Sequence, residues 1–149
     1  LRGVTPLSGR ELQLLKEARR AVLATLAPDG TPRLVPITYV FADGLIYTPL
    51  DEKPKTVTDP RELARVHDIE QRPRVSVLVD AWDEDWSQLG WLRLQGDARL
   101  ISPDGESVPG HAGAVLLLRE KYPQYAAHAL AARPMIRIEI ERSRSWFAR

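Results

Sequence analysis

The chain contains no cysteine among its 149 residues. That absence removes disulfides, thiolate metal ligands and a cysteine nucleophile together. Histidine is nearly as scarce: His67, His111 and His128 lie far apart, and none has the spacing of a metal-ligand pair. An excess of one charge is missing as well, because 21 Lys and Arg oppose 20 Asp and Glu for a net charge of +1. A nucleic-acid footprint needs a basic excess that the chain as a whole lacks, so any basic site must be local. Long apolar runs are also absent. The longest, "AVLLL" at 114–118, falls far short of the roughly 20 residues that span a bilayer. No signal-peptide pattern opens the sequence, so the expectation is a cytoplasmic protein that engages neither membrane nor nucleic acid.

What remains is ordinary globular usage, 44% hydrophobic and 28% charged. The length suits one domain over residues 1–149 with a real core. Ser8 followed by Glu11 forms a capping-box signature, and Leu12, Leu15 and Ala18 continue it at helical spacing over about residues 8–20. "AVLATL" (21–26) is a short apolar run closed by "PDG". "RLVPITYVF" (33–41) runs into "ADG" and then "LIYTPL". Asp-Gly between two apolar runs is a strong hairpin signal, so three strands arrive as a meander. Pro36 cannot donate a ladder hydrogen bond, which places it at an edge, a bulge, or where a ligand lies against the sheet.

Asp59, Pro60 and Glu62 mark the start of a helix that ends before Pro73. "RVSVLVDAW" (74–82) and "WLRLQGDARLI" (91–101) alternate as strands. Residues 110–121 and 125–132 read as helical, and "MIRIEIER" (135–142) as a last strand. Six short strands with helices between and around them predict a mainly β, α+β fold, a small antiparallel barrel.

The segment 53–75 carries a concentrated run of positive charge: Lys53, Lys55, Arg61, Arg65, His67, Arg72 and Arg74. On a helix Arg61, Arg65, Asp68 and Arg72 share one face, with Leu63, Val66 and Ile69 directed to the core. A solvated amphipathic face explains such a stripe. An anion site explains it equally. Lysines precede the helix, the hydroxyl of Thr48 ends the preceding strand, and a helix start offers free backbone N–H groups.

The residues here resemble a known family. "GTPRLVPITYVF", a strand ending near Thr48, and "ARVHDIEQRPRVSVLVD" are similar to the pyridoxamine 5'-phosphate oxidase-like split β-barrel. "DEKPK", "LVDAWDEDWSQLGWLRLQGDA" and "RSRSW" resemble its actinobacterial branch that uses the deazaflavin coenzyme F420. The resemblance spans about residues 10–147. Two positions depart from it: Arg65 stands where the family usually has Lys, which keeps the charge, and Arg72 where it has Asn or Asp.

The resemblance implies a homodimer of six-stranded split barrels with two cofactor sites at the subunit interface. It implies that Lys53, Lys55 and Arg65 bind the cofactor phosphate and that Thr48 and Pro49 line it. Pro32, Arg33, Leu34, Val35 and Pro36 would pass beside the ring system, and Trp146 would close the site from the other subunit. The implied activity is F420-dependent hydride transfer to or from a small organic substrate. The alternatives are an FMN-dependent enzyme on the same fold, or a protein that binds a deazaflavin, flavin or tetrapyrrole without turnover.

Hydride chemistry asks little of side chains, because the cofactor ring carries it. The sequence accordingly assigns no catalytic residue and no metal ligands. Tyr39 and Tyr47, on neighbouring strands, are candidates for proton donation and equally for packing. Trp82, Trp86 and Trp91 bracket the acidic run Asp83-Glu84-Asp85. Such aromatics serve a core or interface, or wall a substrate cleft. The acidic run solvates a tight turn or pairs with Arg93 or Arg99.

Overall fold

The computed structural model describes residues 6–50, 63–103 and 110–149. Helix α1 spans Gly9–Glu17, and the capping box forms as the sequence predicts. Ser8 Oγ accepts from the Glu11 N–H at 3.2 Å, while Glu11 accepts from the Ser8 N–H at 2.8 Å. Strands β1 (Ala21–Leu26) and β2 (Pro32–Ile37) form the first hairpin across the Asp29-Gly30 turn. β3 (Val40–Ala42) and β4 (Leu45–Pro49) form the second, across Asp43 and Gly44. Both of those turn residues have positive φ, 53° and 79°, the backbone that a two-residue hairpin turn requires.

Helix α2 (Ala64–Gln71) leads into β5 (Arg74–Ala81), and β6 (Gly90–Ile101) follows. Then come α3 (His111–Lys121) and the long β7 (Met135–Phe147). Among the described residues, seven strands make one antiparallel sheet in the order β2-β1-β5-β6-β7-β4-β3. Its two end strands, β2 and β3, are separated in the chain only by Thr38 and Tyr39. Three Cα–Cα steps reach at most about 11 Å. The sheet must therefore curl until its ends meet, and the result is a split barrel.

The expected strand 33–41 is thus two strands, which is why the count is seven and not six. At the break, side chains replace the ladder. The Tyr39 N–H donates to Tyr122 Oη at 3.2 Å, and the Tyr39 carbonyl accepts from Lys121 Nζ, also at 3.2 Å. Thr38 and Tyr125 share a hydroxyl–hydroxyl bond of 2.6 Å. The same anchoring corrects the expectation for 125–132. That stretch forms two tight 3-10 turns, Pro123–Ala127 and Leu130–Ala132, with Tyr122 and Tyr125 stacked edge-on at 5.7 Å.

Two further boundaries move. Leu63 is extended (ψ 140°), so the helix begins at Ala64, past the predicted start, and Leu63 packs against the core instead. The predicted cap at Asp59-Pro60 lies outside the described residues. The last strand continues to Phe147, well beyond 142, because β6 supplies a hydrogen-bonding partner for the polar "RSRSWF" stretch. A bulge at Gln95/Gly96 absorbs one extra residue of β7.

The barrel interior is filled by Leu23, Val77, Val79, Leu92, Leu94, Ile46, Ile136 and Ile138, all buried. A second cluster, including Tyr47, Ile101, Leu118 and Met135, packs α3 onto β3, β4 and β7. Gly96 marks the tightest backbone approach. A Cβ there would lie 1.9 Å from the Glu139 carbonyl oxygen, a rigid backbone atom.

Gly96→Ala should therefore destabilise the protein by about 3 kcal/mol or more, since the backbone must shift to admit the methyl. At Gly9 nothing lies within 4 Å of the added Cβ. Gly9→Ala should be neutral or stabilise by up to about 1 kcal/mol. Urea unfolding of both variants beside the parent measures the contrast.

Candidate functional site

Two regions gather the residues that the sequence singles out. The first joins α2 to the β1–β2 hairpin through Asp68. That carboxylate is buried, yet Thr25 Oγ1 donates to its Oδ2 at 2.7 Å and Arg33 Nε to the same oxygen at 2.8 Å. Burial alone would raise the Asp68 pKa; the bonds from Arg33 and Thr25 more than offset it and hold the carboxyl below its ordinary value. The expected solvated face Arg61–Arg65–Asp68–Arg72 is corrected at this position. Asp68 points inward beside Val66 and Ile69, because Thr25 and Arg33 give it partners there. Arg65 stands one turn earlier on α2 and is half-buried. Lys53, Lys55 and Arg61 lie outside the described residues.

The second region is the outer face of the sheet. Strand register aligns Pro36, Val22, Leu78, Arg93 and Arg144 in one row across five strands. Leu34, Ala24, Ser76, Gln95 and Arg142 form the next row. β2 is an edge strand, which suits Pro36, and its Pro32, Leu34 and Pro36 point outward. Val35 is half-buried against the core, and the Arg33 guanidinium is taken by Asp68.

At one end of this face lies a cavity of about 390 Å³ walled by Trp82, Trp91, Trp146, Leu78 and Leu89. Arg93 sits over the Trp91 ring, 5.5 Å from its centroid. Leu34 is 67% exposed, Trp82 67% and Trp146 49%, so a wide apolar surface faces outward. Contiguous surface of this kind marks a binding or association site.

Thr48 and Pro49 are buried on β4, paired with Ile136 and Met135 of β7. Trp146 lies ten residues further along β7, roughly 30 Å of strand at the usual rise. The fold therefore separates Trp146 from Thr48 and Pro49 within the chain. It brings Arg33 to α2, and it puts Pro32, Leu34, Pro36 and Trp146 on one face.

Sequence reasoning left Leu78, Leu89 and Arg144 unmentioned, although the alternation of β5 and β7 signals which residues face outward. Asp83 and Asp85 shape their turn, as one of the two readings had it. Asp83 Oδ1 accepts from the Asp85 N–H at 2.7 Å, and Asp85 Oδ1 from the Ser87 N–H at 3.1 Å. The packing reading of the tyrosines also prevails. The Tyr39 hydroxyl is fully buried and donates to the Leu15 carbonyl, and burial pushes its pKa well above the phenol range. Tyr47 is buried against Gly110.

A split barrel with an exposed aromatic cleft on its outer face defines the fold class, and comparison with known proteins agrees. Residues 9–147 match the family model for pyridoxamine 5'-phosphate oxidase. The chain belongs to that family. No curated protein matches the sequence. Among solved structures, the protein Rv2991 from Mycobacterium tuberculosis is 23% identical, with a TM-score of 0.73 over 98% of this chain and 88% of its own. An F420 reductase is 19% identical, with a TM-score of 0.64 over 94% and 98%. An FAD-binding protein from Mesorhizobium loti is 26% identical, with a TM-score of 0.57 over 93% and 92%. Among the described residues, no helix is long and apolar enough to cross a membrane.

The Asp68 anchor has a pH signature. Its folded pKa is depressed, so its stabilisation is complete above the unfolded carboxyl value and lost as pH falls through the folded one. Asp68→Asn should cost about 1 to 3 kcal/mol at pH 7. That gap from the parent should narrow at pH 3 and below in urea unfolding.

Proposed function

We propose that the protein is an F420-dependent oxidoreductase, working as a homodimer, that transfers a hydride between coenzyme F420 and a small organic substrate. The observation that carries the reading is the outer sheet face, where an aromatic cleft and the exposed edge of β2 share one surface. Flat apolar walls with an adjacent guanidinium suit a planar, anionic ring system. When bound, the coenzyme supplies the hydride-carrying carbon, and the protein has only to orient the ring and keep water out. Leu34 and Pro36 would support one side of the ring. Arg65, with Lys53 and Lys55, would hold the phosphate. The likeness to an F420 reductase adds support.

The separation along β7 favours a site built from two copies, with Trp146 of one reaching the Thr48–Pro49 end of the other. Arg93 lies directly opposite Arg144 on the outer face, and like charges across a ladder repel.

Titration of the purified protein with coenzyme F420 and with FMN tests the assignment. The expectation is at least tenfold tighter binding of coenzyme F420, about 1.4 kcal/mol. Equal affinity, or yellow protein purified with FMN, would point to the flavin enzyme. Tight binding without turnover of an electrophilic acceptor would point to a carrier. Arg65→Ala and Lys55→Ala should each weaken coenzyme binding about tenfold to a hundredfold with the fold intact. Unchanged affinity in both would return the basic segment to a solvated face. In sedimentation at micromolar concentration the protein should be a dimer; a monomer would overturn the two-copy site.

A further inference from the structure

A second cavity, of about 380 Å³, opens between the C-terminal ends of α1 and α3 beside β3. It shares no residue with the cofactor candidates. Three cations reach it, Lys16, Arg19 and Lys121, and its floor is apolar: Val40, Phe41 and Leu117. Two of them, Arg19 and Lys121, are held on aromatic rings. Lys121 Nζ lies 4.1 Å from the centroid of Tyr39 and 5.3 Å from that of Tyr122. The Arg19 guanidinium sits 4.7 Å above the Tyr122 ring and donates to the Lys121 carbonyl at 2.6 Å.

No carboxylate among the described residues lies within 4.0 Å of Lys16, Arg19 or Lys121. Glu120 lines the cavity without reaching them. Burial, with the Arg19 charge beside it, lowers the Lys121 pKa to about 8. Two neighbouring cations, one of them half-buried, thus stand over an apolar floor with no paired counter-charge among the described residues. An anion with an apolar body would supply both missing contacts.

We propose that this cavity binds a small amphipathic carboxylate, an aromatic or branched-chain acid. Its carboxylate would pair with Lys121 and Arg19, and its body would rest on Val40, Phe41 and Leu117. Because Lys121 and Tyr122 also hold the Thr38–Tyr39 link, an occupant would brace the closure of the barrel. Among the described residues, the titratable and charged groups beside Lys121 are Arg19, Tyr39 and Tyr122, with Lys16 and Glu120 lining the same cavity. An anion beside Lys121 favours its ammonium form, so binding near pH 8 takes up protons.

Calorimetric titration with benzoate at pH 8, in two buffers of different ionisation enthalpy, tests the site. Benzoate should bind with net proton uptake. It should also slow acylation of Lys121 by acetic anhydride, read by peptide mass spectrometry. Lys121→Met and Arg19→Gln should each weaken binding at least tenfold. Leu117→Glu, at an exposed position that leaves the core untouched, should do the same by repelling the carboxylate. Inorganic phosphate, which has no apolar body, should bind at least tenfold more weakly than benzoate. Binding undiminished in folded Arg19→Gln and Leu117→Glu overturns the proposal. So does the absence of benzoate binding or of Lys121 protection, and so does phosphate binding as tight as benzoate.

Discussion

Everything in this fold depends on how short the link is between β2 and β3. The two strands occupy opposite ends of a seven-stranded sheet, yet only Thr38 and Tyr39 separate them. A flat sheet of that order would put its ends tens of ångströms apart at the usual strand spacing. The link permits about 11 Å. Closure is therefore a consequence of connectivity, and the core forms inside it. At the link the backbone leaves the ladder, and buried N–H and C=O groups without partners are costly. The hydroxyl of Tyr122 and the ammonium of Lys121 meet that need. The C-terminal end of α3, with Tyr122 just after it, is thus the clasp of the barrel.

Closure divides the strands into an inner face, committed to packing, and an outer face free to do something else. Inside, branched aliphatics interdigitate, and Gly96 allows β6 and β7 to approach where the bulge bends the pair. Outside, the same two strands carry Trp91, Trp146, Arg93 and Arg144. Two exposed tryptophans and a half-buried third around one cleft are hard to explain by packing within a single chain. They become reasonable if a cofactor ring or a second copy covers them. The length of β7 sharpens the point, since it holds Thr48 and Trp146 apart within the chain.

The Asp68 anchor shows how local signals can mislead. Its spacing with Arg65 and Arg72 places it on a charged stripe, and by helix periodicity alone it belongs to solvent. The fold brings Thr25 and Arg33 to it from 43 and 35 residues away. A carboxylate with two donors is stable where a lone one is not. Leu63 is a similar case: its position suits a helical turn, but packing against the core holds it extended.

Much was legible beforehand. The capping box, the Asp-Gly hairpin and the inward faces of β5 and β6 follow from neighbours within a few residues. Periodicity and turn chemistry are local, so a sequence read alone can determine them. It could also reveal the family, whose motifs are spread along the chain. The split of 33–41 into two strands, the extension of β7 to Phe147, the inward turn of Asp68 and the gathering of Trp82, Trp91 and Trp146 were decided only by the tertiary structure. Each depends on partners far away in sequence: Tyr122 for the link, β6 for the end of β7, Arg33 for Asp68. A hydrogen bond or an apolar contact acts across space, and no local pattern records which distant strand will be there to make it.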